Sequence, residues 1–127
     1  MIMLKQKTQV DFYYELRGEF PKMENLSMWD EYDWSIDGYD TMFIMTEIAQ
    51  ELAKWVANGE RDDVQRLMDI VELYFVEGNS TVTSFLYTDF LVTVMEAKKE
   101  DRDVIKAMMK PETARHYSNL FNFYREA

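Results

Sequence analysis

Apolar side chains recur every three or four residues through most of this chain, which is the spacing that places them on one face of an α-helix. The first such stripe lies in residues 8–20 and consists of Val10, Tyr13, Leu16 and Phe20. Pro21 should end this helix because its ring disfavours a helical conformation in the preceding residue. No β-hairpin signal competes with this spacing, so the chain is constrained to a helical fold.

Two further stripes predict helices over residues 41–58 and 62–77. The first carries Met45, Ile48, Ala49, Leu52, Trp55 and Val56, and the second carries Val64, Leu67, Met68, Val71 and Phe75. We expect Gly59 to end the second helix in the left-handed conformation that glycine adopts without steric cost, and Gly78 to end the third. The connections are short, so successive helices should be antiparallel neighbours.

The C-terminal part of the chain predicts three more helices. Asn79 or Ser80 can cap a fourth helix, which should run to about residue 99 with Lys98 and Lys99 in its last turn. Apolar side chains cover most of its circumference, as in a central helix, although β-branched residues at 81–83 and 92–94 leave a strand as the local alternative. A short helix over 101–109 follows. A final helix opens at Pro111 with one apolar face formed by Ala114, Tyr117, Phe121 and Tyr124.

These segments predict an all-α, single-domain, irregular bundle of about five to six helices with HEAT-like or orthogonal packing. A length of 127 residues suits one domain, placed at 1–127 with an irregular connection at about 21–40. The chain has no Cys, which excludes disulfides and thiolate metal sites and makes a cytoplasmic location the expectation. Neither a signal peptide nor a membrane span is expected.

The charge of the chain restricts the partners that it can bind. It has 24 acidic and 14 basic residues, a formal net charge of −10. Nucleic acids and anionic membranes are bound through Lys and Arg, so neither is expected as a partner. A basic protein or a cation fits this charge, and improved solubility alone is the alternative explanation.

The negative charge is concentrated in the irregular connection. Residues 29–40 hold five carboxylates, four aromatic rings and no basic residue. Trp and Tyr are enriched at interface hot spots, and carboxylates around them would attract a basic partner. We therefore predict a partner-binding site formed by Trp29, Asp30, Glu31, Tyr32, Asp33, Trp34, Asp37, Tyr39 and Asp40. The alternative is an acidic loop whose rings all belong to the core.

Calcium binding is a weaker interpretation of the same connection. Asp33, Ser35, Asp37 and Gly38 resemble the opening of an EF-hand loop. Position twelve, where a bidentate Glu would close the metal cage, is Ile44 instead. We predict no metal site and no cofactor.

Catalysis is not expected from the single histidine. His116 lies four residues after Glu112, without a second His and without the Glu-x-x-His spacing of a di-iron bundle. Without such partners, His116 is expected to be a surface or helix-boundary residue. We predict no catalytic residue and no enzymatic activity.

Two stretches of the chain resemble a known group of proteins. Residues 71–82, with Phe90 and Leu91, and residues 110–117 are similar to small α-helical bacterial immunity proteins of contact-dependent growth inhibition systems. The resemblance implies an inhibitor that binds a basic toxin domain, expected at one to one, and occludes its active site or substrate groove. The toxin would be a nuclease, with an EndoU-like ribonuclease as the first expectation. A helical adaptor or regulatory protein and a calcium-binding module remain the alternatives.

Overall fold

The computed structural model describes residues 6–26 and 42–126. Within these ranges the chain forms six helices and a short 3-10 turn at Pro21–Met23. The helices are α1 (Gln9–Glu19), α2 (Met42–Ala57), α3 (Arg61–Glu77), α4 (Ser80–Phe85, Leu86–Phe90 and Leu91–Met95 in succession), α5 (Lys99–Ala107) and α6 (Pro111–Glu126). The predicted all-α fold of five to six helices is confirmed.

Helix α1 begins with a capping box. The hydroxyl of Thr8 accepts a hydrogen bond from the backbone N–H of Asp11 (3.1 Å), and the Asp11 carboxylate accepts one from the N–H of Thr8 (2.9 Å). The predicted stop before Pro21 is confirmed. The buried face differs from the predicted one, because Phe12 is fully buried and Val10 is only half-buried.

Helices α2 and α3 pack their apolar faces into the core. All six predicted side chains of α2 are buried, and Gly59 follows the helix with φ +77°, the left-handed conformation expected of it. At the end of α3, Tyr74 is buried and the predicted Phe75 is only half-buried. Tyr74 can be buried because its hydroxyl donates a hydrogen bond to the Glu15 carboxylate (2.8 Å). Its ring also meets Phe12 edge-on, with 5.0 Å between the ring centroids.

Helix α4 contains a π-helical turn at Leu86–Phe90, which the apolar spacing did not indicate. Asn79 caps the helix as predicted, accepting a hydrogen bond from the N–H of Val82 (3.0 Å). The hydroxyls of Thr88 and Thr93 each donate to the backbone carbonyl four residues earlier (both 2.8 Å). Residues 81–83 and 92–94 are helical, so the strand alternative is wrong.

The predicted boundary between the fourth and fifth helices is also wrong. Helix α4 ends at Met95, and Lys98 and Lys99 lie at the start of α5 rather than in the last turn of α4. Glu100 and Asp101 occupy the first turn of α5. Carboxylates are favoured there because the N-terminus of a helix carries a partial positive charge. Glu100 and Asp101 therefore favour the start of α5 at Lys99.

Helix α6 presents a different face to the core from the one predicted. Thr113, Tyr117 and Leu120 are buried, whereas Phe121 is 39% exposed. The side chain of Tyr124, another member of the predicted face, lies outside the described residues. Thr113 can be buried because a carboxylate of α3 accepts a hydrogen bond from its hydroxyl (2.8 Å). A polar residue, which the apolar pattern ignores, thus fixes the rotation of α6.

The chain before α1 is tied to the turn between α3 and α4. The N–H of Lys7 donates to the carbonyl of Glu77 (3.0 Å), and the N–H of Asn79 donates to the carbonyl of Lys7 (2.8 Å). Gly78 lies between these bonds, and a β-carbon there would come within 3.0 Å of the Tyr74 carbonyl oxygen. Glycine is therefore required at this position, because a side chain would meet the end of α3 and the Val82 side chain of α4.

The buried apolar side chains form one cluster, in which α2 contacts α3, α4 and α5. Helix α3 in turn contacts α1, α4 and α6. The rings of Phe20 and Trp55 meet at 5.0 Å and join the end of α1 to α2. Among the described residues, no buried side-chain nitrogen or oxygen lacks a hydrogen-bond partner. The described helices thus share one well-packed core.

Candidate partner-binding surfaces

The acidic aromatic residues proposed for partner binding lie outside the described residues. They fall within residues 27–41, which follow the 3-10 turn and precede α2 in the sequence. The predicted connection began at about residue 21, and we call residues 27–41 alone the acidic connection. Their role in binding therefore stays a prediction. The calcium ligands suggested by the EF-hand resemblance lie in the same range, but Ile44 at position twelve is described and is fully buried in the core. That position supplies no oxygen ligand to a metal.

The described residues next to this connection form an ion-pair network. Lys22 donates to Glu60 (2.9 Å) and to Asp63 (2.6 Å), and Arg66 pairs with Asp63 (3.0 Å) and with Glu19. These five residues join the end of α1, the 3-10 turn and the start of α3. The chain is therefore held against the α2–α3 turn shortly before the connection begins.

The charges of this network stabilise one another. Desolvation opposes the charged form of Lys22, but hydrogen bonds to Asp63 and Glu60 outweigh it and raise the pKa of the ammonium group. The hydrogen bond from Lys22 lowers the pKa of Asp63. Lys22 also lies over the ring of Trp55, with 4.0 Å between its Nζ and the ring centroid. These ion pairs thus hold the 3-10 turn and the end of α1 against the start of α3.

Ion pairs of this kind recur over the described surface. Seven basic side chains pair with carboxylates of the same chain: Arg17, Lys22, Lys54, Arg66, Lys99, Lys110 and Arg115. Residues 27–41 contain five carboxylates and no Lys or Arg. Half of the net charge of −10 therefore belongs to a 15-residue segment without a cation of its own.

A second surface, the α4–α6 face, lies between helices α4 and α6. One cleft of about 260 Å³ on this face is lined by Tyr87, Thr88, Val92, Leu120 and Phe123. A neighbouring cleft of about 390 Å³ shares Tyr87 and is lined on its other side by residues that include Phe75, Arg115 and His116. Phe123 is 67% exposed. The α4–α6 face thus presents aromatic surface to solvent.

His116 lies half-buried on this face rather than free at the surface. Its ring stacks on Phe75 (4.6 Å between centroids) and meets Tyr87 edge-on (5.6 Å). Burial, followed by the charge of Arg115, lowers the pKa of His116, so the imidazole is neutral at neutral pH. Glu112, the acid expected beside it, pairs with Arg115 (2.7 Å). The imidazole thus has a packing role in this arrangement.

The sequence offered a signal for the α4–α6 face that the apolar pattern alone did not use. Phe121 and Phe123 are two residues apart, and such residues do not share a face of an α-helix. One of the two rings must therefore turn away from the core. In the structure both are exposed, because Tyr117 and Leu120 occupy the buried positions.

In the described part of the chain, no group of three or more His, Asp or Glu side chains is arranged to hold a metal ion. None of the helices in that part is long and apolar enough to cross a bilayer. No curated protein and no solved structure matches this sequence. A domain family matches residues 13–126, which is most of the chain, and its description is a domain of unknown function, DUF7674. The chain belongs to the DUF7674 family.

Proposed function

We propose that this protein is a cytoplasmic immunity protein that binds and neutralises a basic toxin domain. The expected toxin is a nuclease, with an EndoU-like ribonuclease as the first candidate, and the expected complex contains one copy of each protein. The acidic aromatic connection, residues 27–41, is the proposed contact. It would occlude the active site or the substrate groove, so the protein itself needs no catalytic group.

The distribution of charge is the observation that carries this proposal. Seven basic side chains of the described surface form ion pairs with carboxylates of the same chain, among them Lys22, Arg66 and Arg115. The connection has no cation, so its five carboxylates have no basic partner within the segment. Clustered negative charge attracts a basic protein over about a Debye length and raises the association rate.

The aromatic residues give the same segment a second role. Trp29, Tyr32, Trp34 and Tyr39 can each bury a large apolar area against a partner while keeping a polar atom for a hydrogen bond. Interface energy is commonly concentrated in such side chains, whereas exposed charges mainly set the association rate. The carboxylates would therefore mainly raise the association rate, and the rings would mainly lower the dissociation rate.

The helical body supports this division of roles. Met23, shortly before the connection, and Ile44, shortly after it, are both fully buried. The connection thus begins and ends close to residues fixed in the core. Fixed attachment points reduce the conformational freedom that a binding segment loses when it contacts its partner.

The proposal is tested first by identifying the partner. The gene adjacent to this one should encode a large secreted protein with a basic C-terminal domain, and that domain should co-purify with this chain and lose its toxicity. An endogenous partner and no such gene would favour the adaptor alternative. A melting temperature that rises with added Ca²⁺ would favour the calcium alternative.

The contact site is then tested by association kinetics with the purified toxin domain. We expect the triple variant D30N/D33N/D37N to associate about tenfold more slowly at low salt and to show a weaker salt dependence. The matched control E100Q/D101N/D103N removes the same charge from α5. Equal slowing by both variants, or an unchanged rate in the first, would contradict the assignment of this site.

A further inference from the structure

The α4–α6 face has a feature that the proposed toxin contact does not use. Phe123, which is 67% exposed on α6, lines a cleft together with Tyr87, Val92 and Leu120. Exposed aromatic surface next to an apolar cleft is typical of a protein-binding site. Tyr87 belongs to the π-turn of α4, and π-turns within α-helices are frequent at functional sites.

The charge of this face indicates what can cover it. Arg115 is the only residue with a fixed charge among the described residues that line the two clefts, and none of them is Asp or Glu. The carboxylate beside Arg115 is Glu112, which forms an ion pair with it. In a chain of net charge −10, the described residues that line this face therefore include no unpaired carboxylate.

A basic partner would be attracted to carboxylates elsewhere and would gain little here. Two copies of this chain repel each other over most of their surfaces, since each carries a net charge of −10. They repel least where two linings without Asp or Glu meet, and apolar contact can then outweigh the repulsion. We propose that the α4–α6 face binds the same face of a second copy, forming a two-fold symmetric dimer.

Two-fold symmetry brings the same residues together from both sides. Phe123 of one copy would pack over the Tyr87–Leu120 cleft of the other, and the reverse contact would form at the same time. The acidic connection takes no part in this contact as we propose it. The dimer and the toxin complex are therefore independent proposals.

The test is sedimentation equilibrium of the full chain over a concentration series. Wild-type protein should approach twice its mass of 15.3 kDa as its concentration rises. Phe123→Asp and Thr88→Asp each place a negative charge on the face and should weaken the dimer by at least tenfold. Val76→Asp, at a 61% exposed position on α3 that lines neither cleft, makes a comparable change and should leave the dimer intact.

Salt provides a second readout. Screening the repulsion between two acidic copies should tighten the dimer between about 0.02 and 0.5 M salt, whereas it should weaken the toxin complex. Circular dichroism checks that each variant is folded, and Thr88→Asp keeps the test decisive should Phe123→Asp unfold. A wild-type chain that stays monomeric at every concentration would overturn the proposal. So would a dimer that dissociates as readily in Val76→Asp as in Phe123→Asp, or one weakened by salt.

Discussion

The carboxylate of Glu72 in α3 accepts hydrogen bonds from both the backbone N–H and the hydroxyl of Thr113 in α6, each 2.8 Å long. It also accepts one from the N–H of Glu112 (3.1 Å). The first N–H groups of a helix have no acceptor within the helix, and the helix dipole favours an anion there. Glu72 therefore caps α6 from another helix, 41 residues earlier in the chain.

Removing this tertiary cap should destabilise the fold. We expect Glu72→Ala to lower the free energy of unfolding by about 1–2 kcal/mol, the usual cost of losing a helix cap. Urea denaturation followed by circular dichroism measures the change. Glu77→Ala, at an exposed position on the same helix, is the control and should change stability by less than about 0.5 kcal/mol. Equal losses in the two variants would show that the Glu72 contact contributes nothing specific.

Alanine should have opposite effects at two glycines. At Gly78 a β-carbon would clash with the Tyr74 carbonyl and the Val82 side chain, so Gly78→Ala should cost about 1–3 kcal/mol. At Gly18 nothing lies within 4 Å of the new carbon, and Gly18→Ala should stabilise α1 by about 0.5 kcal/mol. Thermal unfolding of both variants tests the pair, and a Gly78→Ala protein as stable as wild type would refute the close approach described for this turn.

Stability should depend on pH through His116. Its pKa in the folded protein is lowered by burial and by Arg115, although Glu112 and Glu72 act in the opposite direction. Below an unfolded-state pKa of about 6.5, the unfolded chain therefore binds more protons, and stability falls as the pH falls toward the folded pKa. When the pH is lowered from 7.5 to 5, the unfolding free energy of wild type should therefore fall by more than that of His116→Gln. Parallel pH profiles would argue against this coupling.

The ion pairs of Lys22 should contribute modestly and in a salt-dependent way. Lys22→Gln loses the bonds to Glu60 and Asp63 and the contact with the Trp55 ring, so we expect a loss of about 1 kcal/mol at low salt. The loss should shrink at 1 M salt, where surface ion pairs are screened. Lys54→Gln is the control, since its pair with Glu51 is longer (3.7 Å) and the Lys54 side chain is more exposed than that of Lys22. A loss that does not change with salt would mean that the ion pairs contribute little.

Most of the helical framework could be predicted from apolar spacing and from helix-ending residues. All six predicted core residues of α2 and the Gly59 turn are confirmed, because both signals are local in sequence, although the buried Ile44 was missed. The exposed position of Phe121 could not be predicted in this way. It depends on Thr113 being held by Glu72, a contact between residues far apart in the chain.

The candidate sites were predictable to different degrees. Charge and aromatic content single out residues 29–40 from the sequence, although they lie outside the described residues. The spacing of Phe121 and Phe123 indicated that one ring of α6 is exposed, but the cleft beside Phe123 could not be found by pattern, because it forms only where the packing of two helices brings Tyr87 and Phe123 together. The His116 stack on Phe75 depends in the same way on the contact of α6 with α3.

The π-turn of α4 accommodates one residue more than a regular α-helix would place between the same buried side chains. The buried side chains Val82, Leu86, Phe90 and Val94 are spaced four apart. In a regular α-helix each such step advances about 40° beyond a full turn, so the row would drift about 120° around the axis. A π-turn holds more residues than a regular turn and takes up part of this drift. Deleting one residue between positions 86 and 90 would leave spacings of four, three and four, which a regular α-helix keeps on one face within about 60°. The deletion should therefore convert the π-turn into regular α-helix and leave both halves of α4 in the core.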